Sequence, residues 1–346
     1  MYYLQKIKGN KTSVFTIIFM FIMIIPTTAI VITTTTTTNS VYGQQDKTSL
    51  NVTDSSDIQN VPAKKVQVGD IEIAYKMLGK GDPILLFNGA SDVMDGWDPS
   101  FPRSLSSNHT VIAFDSRGLG NTTMGSKSYS MQQLANDAAG LLDALKIPKA
   151  DVLGYSLGSF MAQQFTIMYP DKVNTLTLVA SSCGGKDNTP KPPEFLKLQS
   201  EIVNKSLNNV SISQEEMKEL VAASVGAGWI KLHPEVLETI PTMQQAKPGL
   251  SPEAMNNQNN VGREWVATNW SGACDELAKI AKPTLVITGT DDNMYVPHVN
   301  SLKIVEKIPG AWLVQIKNAG HAVMDQYPEE IGKILNTFLS TTAQSN

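Results

Sequence analysis

Apolar and polar residues alternate over Val66–Val68 and Ile71–Met77, with Gly69-Asp70 between the two stretches. A period of two broken by a glycine turn predicts a hairpin of half-buried strands. The pattern then changes. Pro83-Ile84-Leu85-Leu86-Phe87 is an unbroken apolar run, the mark of a strand covered on both faces. Further strands read at Thr110–Phe114, Asp151–Leu153, Thr175–Ala180, Thr284–Gly289 and Ala311–Ile316. Between them lie stretches of helical character near Pro99–Ser107, Tyr129–Leu145, Phe160–Pro170, His298–Lys307 and Pro328–Leu339. In the second of these, Leu134, Ala138, Leu141, Leu142 and Leu145 fall on one side. Buried strands alternating with helices predict an α/β fold: a mostly parallel eight-stranded sheet with helices on both faces and right-handed crossovers.

The alternation stops from Gly184 to about Lys279. Pro190, Pro192, Pro193, Pro234, Pro241, Pro248 and Pro252 punctuate helical stretches there, and no strand is evident. The chain therefore divides into a core of residues 62–183 and 280–346 with a helical insertion, 184–279, between its halves. Long insertions in compact domains usually serve function, so a cap over a site is expected, against an ordinary surface excursion.

Before the core, Lys6, Lys8 and Lys11 precede an uncharged stretch, Val14–Ile32. As a helix it would reach about 28 Å, close to a bilayer core of about 30 Å. Pro26 splits it, and Val41-Tyr42-Gly43 offers a small-residue cleavage site. Residues 1–43 read as a cleaved signal peptide or an uncleaved membrane anchor, and the polar run 44–61 as a disordered linker. The lysines put the N-terminus inside and the body outside, so the protein is expected to be secreted or held on the outer face of the cytoplasmic membrane. Asn-x-Ser/Thr triplets at Asn51, Asn108, Asn121, Asn204, Asn209 and Asn269 fit an exported body.

Composition narrows the function classes. Net charge is −4 and the body has no basic run, which argues against a nucleic-acid partner. Two cysteines, Cys183 and Cys274, rule out a zinc framework or a disulfide-dense scaffold. The four histidines stand singly, so no metal site is expected.

The candidate chemistry centres on Asp151-Val152-Leu153-Gly154-Tyr155-Ser156-Leu157-Gly158-Ser159. It reads as a buried strand, a sharp turn and a helix start, with Gly-x-Ser-x-Gly at the turn. A serine there stands clear of the sheet, and the two glycines let strand and helix approach closely. A serine hydroxyl needs a base to take its proton. In this architecture acid and base follow downstream in the order Asp/Glu then His. His321, in Asn318-Ala319-Gly320-His321 past the last strand, is the choice for base; His298, beside a proline at a helix start, is the runner-up. His233 lies in the insertion and His109 lies upstream. The acid is expected just past Thr284–Gly289, where Asp292 is the choice and Asp291 a competitor; whichever is unused should face solvent. The backbone N–H groups of Leu157 and Ala90 are the expected oxyanion donors.

These motifs resemble the α/β-hydrolase superfamily over roughly residues 62–340, in the branch with a helical cap between the sixth and seventh strands. That branch includes haloperoxidase-like esterases, enol-lactonases and meta-cleavage-product hydrolases. Pro83–Gly89 resembles its oxyanion strand and loop, and Asp115-x-Arg117-Gly118-x-Gly120 its second glycine turn, a brace around Arg117. Gly154–Gly158, Gly289–Asp292 and Gly320-His321 resemble the three triad positions. Two departures stand out. Asn88 replaces the family's usual histidine before the oxyanion glycine, and one extra residue separates the acid from Pro297. The resemblance implies hydrolysis of a small ester, lactone or thioester without cofactor or metal, or of a diketone C–C bond by the same triad. A non-catalytic binding protein on the same scaffold is the rival class. Ser91, Trp97, Tyr155 and Trp229 are candidate pocket residues. Cys183 and Cys274 bracket the insertion; in an exported body they would form a disulfide, and otherwise two buried thiols.

Overall fold

The computed structural model describes residues 57–208, 210–238 and 251–343. The segment 1–43 and the linker as far as residue 56 lie outside the described residues. Among the described residues, no helix is long and apolar enough to cross a membrane.

The hairpin forms as the alternation predicts. Strands β1 (Lys64–Val68) and β2 (Ile71–Gly79) pair antiparallel, with Val68 opposite Ile71 and Gly69 at φ 56° in the turn. Six more strands complete one sheet: β3 (Asp82–Phe87), β4 (His109–Phe114), β5 (Ala150–Tyr155), β6 (Val173–Val179), β7 (Thr284–Gly289) and β8 (Trp312–Ile316). Their order is β1-β2-β4-β3-β5-β6-β7-β8. β2 is antiparallel to both its neighbours, and all other pairings are parallel.

The unbroken apolar runs resolve into two faces. Leu85 and Phe87 of β3 and Val152 of β5 pack on one side with Leu134, Leu141 and Phe165. Ile84, Leu86 and Leu153, the residues between, pack on the other with Phe101, Leu335 and Phe338. A strand in the middle of a sheet covered on both sides needs an apolar residue at every position, which is why its run shows no alternation. The helices that supply the cover are α1 (Ser100–Leu105), α2 (Met131–Ala144) and α3 (Leu157–Met168), and later α9 (Val299–Lys307), α10 (Val323–Gln326) and α11 (Pro328–Ala343). Ile58, within the stretch read as linker, is fully buried in the second cluster, and the Gln59 side chain donates to the Trp97 carbonyl at 2.7 Å. The folded body therefore starts before residue 62.

Arg117 is the brace expected of the second glycine turn. It is buried and bonded to both oxygens of Asp137, at 2.8 and 2.7 Å, and to both oxygens of Asp70, each at 3.0 Å. The guanidinium holds the Asp70 carboxyl well below the usual carboxylate range.

Between β6 and β7 the described chain forms α4 (Pro193–Leu207), α5 (Gln214–Val225), α6 (Ala227–Leu232), α7 (Pro252–Val266) and α8 (Cys274–Leu277). Phe195, Met217, Leu220, Val221 and Val236 make a cluster of their own, which reaches the core at Tyr295 and Ala322. The ends of the insertion meet at its base. Cys183 and Cys274 form a disulfide with Cα atoms 5.0 Å apart, and the Trp265 indole N–H donates to the Ser182 carbonyl at 3.0 Å.

Candidate active site

Strand order reverses beside β3: the chain leaves it for β4 on one side and returns as β5 on the other. Parallel sheets bind ligands in the crevice beyond the strand ends at such a switch point. Ser156 stands there, between β5 and α3, at φ 53° and ψ −122°. Its own N–H donates to the Val179 carbonyl at 3.0 Å, which helps hold this strained conformation. Both flanking glycines are needed for space. A Cβ on Gly154 would strike the backbone of Gly158 and Ser159, and one on Gly158 the carbonyls of Phe87 and Asn88. The second contact seats the start of α3 directly against the end of β3, so Leu157 and the loop bearing Ala90 are neighbours.

Three loops deliver the reacting groups. His321 Nε2 lies 2.9 Å from Ser156 Oγ, and His321 Nδ1 lies 2.7 Å from Asp292 Oδ2. All three residues are buried. Asp292 Oδ1 accepts the Val296 N–H at 3.1 Å, which leaves Oδ2 facing the imidazole. In this arrangement His321 carries its proton on Nδ1, donates it to Asp292 and offers Nε2 to the serine hydroxyl. His298 is elsewhere: its ring faces Asn293 Oδ1 at 3.1 Å in an exposed setting.

Asp291 does not face solvent as expected of the unused aspartate. It is half-buried, and its Oδ2 accepts the Gly228 N–H of α6 at 2.7 Å. That bond belongs to a wider contact between the insertion and the histidine loop. Ala322 N–H donates to the Ser224 carbonyl at 3.0 Å. The Gln326 side chain donates to the Val225 carbonyl at 2.8 Å and accepts the Gly320 N–H at 2.9 Å. A Cβ on Gly320 would strike the backbone of Ser224 and Val225. Gly320 thus serves close approach rather than loop freedom, and the α5–α6 corner is a strut against His321.

The loop after β3, which bears Ala90, is held from two directions. Asn88, in the family's histidine position, donates through its amide to the Val93 carbonyl at 2.7 Å. Ser91, at φ 56°, donates its N–H to Gln258 Oε1 of α7 at 2.7 Å. Of the candidate pocket residues, Trp97 and Tyr155 come together and Trp229 lies apart. Trp97 and Tyr155 border a small cavity with Asp92, Phe101 and Met324, and Ser156 is not among its walls. Trp229 stacks on His233 at 4.1 Å within the insertion.

The imidazole has two aromatic neighbours, of which only Tyr155 was among the candidate pocket residues. The Tyr155 ring lies 5.6 Å from it at 31°, and the Tyr295 ring 5.2 Å from it at 20°. Tyr155 also donates its hydroxyl to the His321 carbonyl at 3.0 Å. Burial pushes both phenols well above their ordinary value. Lys191, ahead of α4, stands over the Tyr295 ring at 5.6 Å and donates to Gln199 Oε1 at 3.1 Å. Burial pushes its ammonium down to about 8. Tyr295, Gln258 and Gln326 were all missed from sequence, and only Tyr295 sits close enough to a motif residue, three after Asp292, to have drawn notice.

Among the described residues, no group of three or more His, Cys, Asp or Glu could hold a metal ion.

This sheet order, with a serine at the β5–α3 turn, defines the α/β hydrolase fold, and the chain belongs to that family: residues 82–328 match its model. Over 264 residues it is 29% identical to the poly(3-hydroxyalkanoate) depolymerase of Ectopseudomonas oleovorans, covering 76% of this chain and 86% of that one. It is 24% identical over 284 residues to the 2-hydroxy-6-oxo-6-(2'-aminophenyl)hexa-2,4-dienoic acid hydrolase of Metapseudomonas resinovorans, covering 80% and 91%. Among solved structures, the enol-lactonase of Burkholderia xenovorans LB400 superposes with a TM-score of 0.62 at 20% identity, covering 80% of this chain and all of that one.

Proposed function

We propose that this protein hydrolyses a carboxylic ester, or a related lactone or thioester, through an acyl-enzyme on Ser156. The hydrogen-bonded run from Ser156 Oγ through His321 to Asp292, at 2.9 and 2.7 Å, is the observation that carries the reading. Ser156 Oγ attacks the carbonyl carbon as its proton passes to His321 Nε2, and the carbonyl π pair moves onto oxygen. The N–H groups of Leu157 and Ala90 receive that oxyanion; one such donor is typically worth about 10²–10³ in turnover. His321 then returns the proton to the leaving alcohol. A water that loses its proton to His321 attacks the acyl carbon, and His321 passes that proton to Ser156 Oγ as the bond to serine breaks and the acid is freed. Asp292 keeps the imidazole in the right tautomer and stabilises its charged form. A poly(3-hydroxyalkanoate) is joined by ester bonds, which favours ester over C–C cleavage. The insertion acts as the cap of this site, and an N-terminal export segment would place the reaction outside the cytoplasm.

A fluorophosphonate probe tests the reading. The folded wild type is expected to label and Ser156→Ala is not; an unlabelled wild type, or equal labelling of the two, removes it. Rates on short and long p-nitrophenyl esters, a lactone and a meta-cleavage diketone then select the substrate class.

A further inference from the structure

The base of a serine hydrolase becomes a cation at the moment of attack. Here that cation forms in a buried place, where charge is costly. Asp292 faces it along one edge through Nδ1. The imidazole also lies beside two tyrosine rings, stacked on Tyr295 at 5.2 Å and 20° and tilted against Tyr155 at 5.6 Å and 31°. Both centroid distances fall within the roughly 6 Å over which an aromatic face attracts a cation.

We propose that Tyr295 and Tyr155 are positioning residues that stabilise the imidazolium of His321 through their ring faces as Ser156 is deprotonated. The proposal rests on the hydrolase reading above and adds groups that act through the base. Neutral imidazole gains only ordinary stacking from these rings, whereas imidazolium gains the electrostatic attraction as well. The difference is present in the transition state and absent in the resting enzyme, which is the condition for raising kcat rather than lowering KM.

The rings are held for this task from separate elements. Tyr155 is the residue before the nucleophile, and its hydroxyl is fixed on the His321 carbonyl at 3.0 Å. Tyr295 is buried in the loop after Asp292, and Phe195 of α4 meets its ring edge-to-face at 4.7 Å and 71°. The insertion thereby sets the plane of a ring that lies against the base. A desolvated contact of this kind is worth roughly 3- to 30-fold in rate.

Graded fluorination separates electrostatics from shape. Tyr295→Phe serves as the reference, followed by mono-, di- and trifluorinated phenylalanines introduced at the same site, with a parallel series from Tyr155→Phe. Fluorine drains the ring face and scarcely alters its size. The acylation rate with p-nitrophenyl acetate is expected to fall stepwise, about tenfold from none to three fluorines, while KM and Tm stay level. A flat series at both sites, in protein that still acylates, overturns the proposal and leaves the hydrolase reading standing. Absence of acylation in the wild type overturns both.

Discussion

Gln258, on α7 of the insertion, accepts a hydrogen bond from the backbone N–H of Ser91 at 2.7 Å, across 167 residues of chain. Ser91 follows Ala90, the expected oxyanion donor, so a buried side chain of the insertion fixes the loop that would meet developing negative charge. Gln258→Leu leaves that N–H without its acceptor, a loss of about 1–3 kcal/mol for a buried group. Turnover of p-nitrophenyl butyrate is expected to fall roughly 10- to 100-fold, with KM changed less than about threefold, since an oxyanion donor acts mainly in the transition state. Steady-state kinetics beside a melting curve checks it; a change confined to KM would refute the role.

The two neighbouring aspartates do separate jobs. Asp292→Asn is expected to lower kcat by about 10⁴ through loss of the imidazole tautomer, with Tm little changed. Asp291→Ala is expected to leave kcat within about tenfold and to lower stability by about 1–3 kcal/mol, because the Gly228 N–H loses its acceptor. Urea unfolding and ester hydrolysis on the two variants decide between them, and the reverse pattern would make Asp291 the acid.

Lys191 couples stability to pH. Burial holds its ammonium at about 8, against 10.5 for the unperturbed group. Between those values the unfolded chain binds more protons than the folded one, so stability rises with pH. Below pH 8 the folded protein carries the full burden of a buried cation; above 10.5 it carries none. Wild type is therefore expected to gain about 1–3 kcal/mol relative to Lys191→Met from pH 8 to 10.5. Urea titrations of the two at several pH values measure it, and parallel curves would contradict it.

Arg117 joins Asp70, in the β1–β2 turn, to Asp137 on α2 with its charge fully buried. Arg117→Met strands two carboxylates, one of them buried, and is expected to cost about 3–5 kcal/mol. The acylation rate per folded molecule should not follow, since the brace does not touch Ser156. Active-site titration alongside urea unfolding tests both statements.

Much of this molecule was legible along the chain because its signals are local. The central strands interrupt polar sequence with dense apolar runs, and β1 and β2 announce themselves by alternation instead. Gly154 and Gly158 sit beside the residue they serve, and Asp292 and His321 each follow such a run. What escaped is what depends on contact at a distance. Gln258 lies in the polar stretch Asn256-Asn257-Gln258-Asn259-Asn260, where nothing distinguishes one amide from its neighbours. Asp291 was expected in solvent because its partner, a backbone N–H on α6, has no side-chain signature. Gly320 is there because Ser224 and Val225 come close to it, a contact that nothing along the chain announces. Trp97, Tyr155 and Trp229 have the composition of a pocket, and only the fold shows that the first two share a small cavity while Trp229 stacks on His233 in the insertion.

The bond between Cys183 and Cys274, 91 residues apart, closes the insertion into a covalent ring at its base. A protease that cut this ring once would leave both pieces covalently attached, and the strut at His321 would stay tethered beside the base. One nick would then be damage the folded body can outlive, and reduction of that one bond would be what makes the nick fatal.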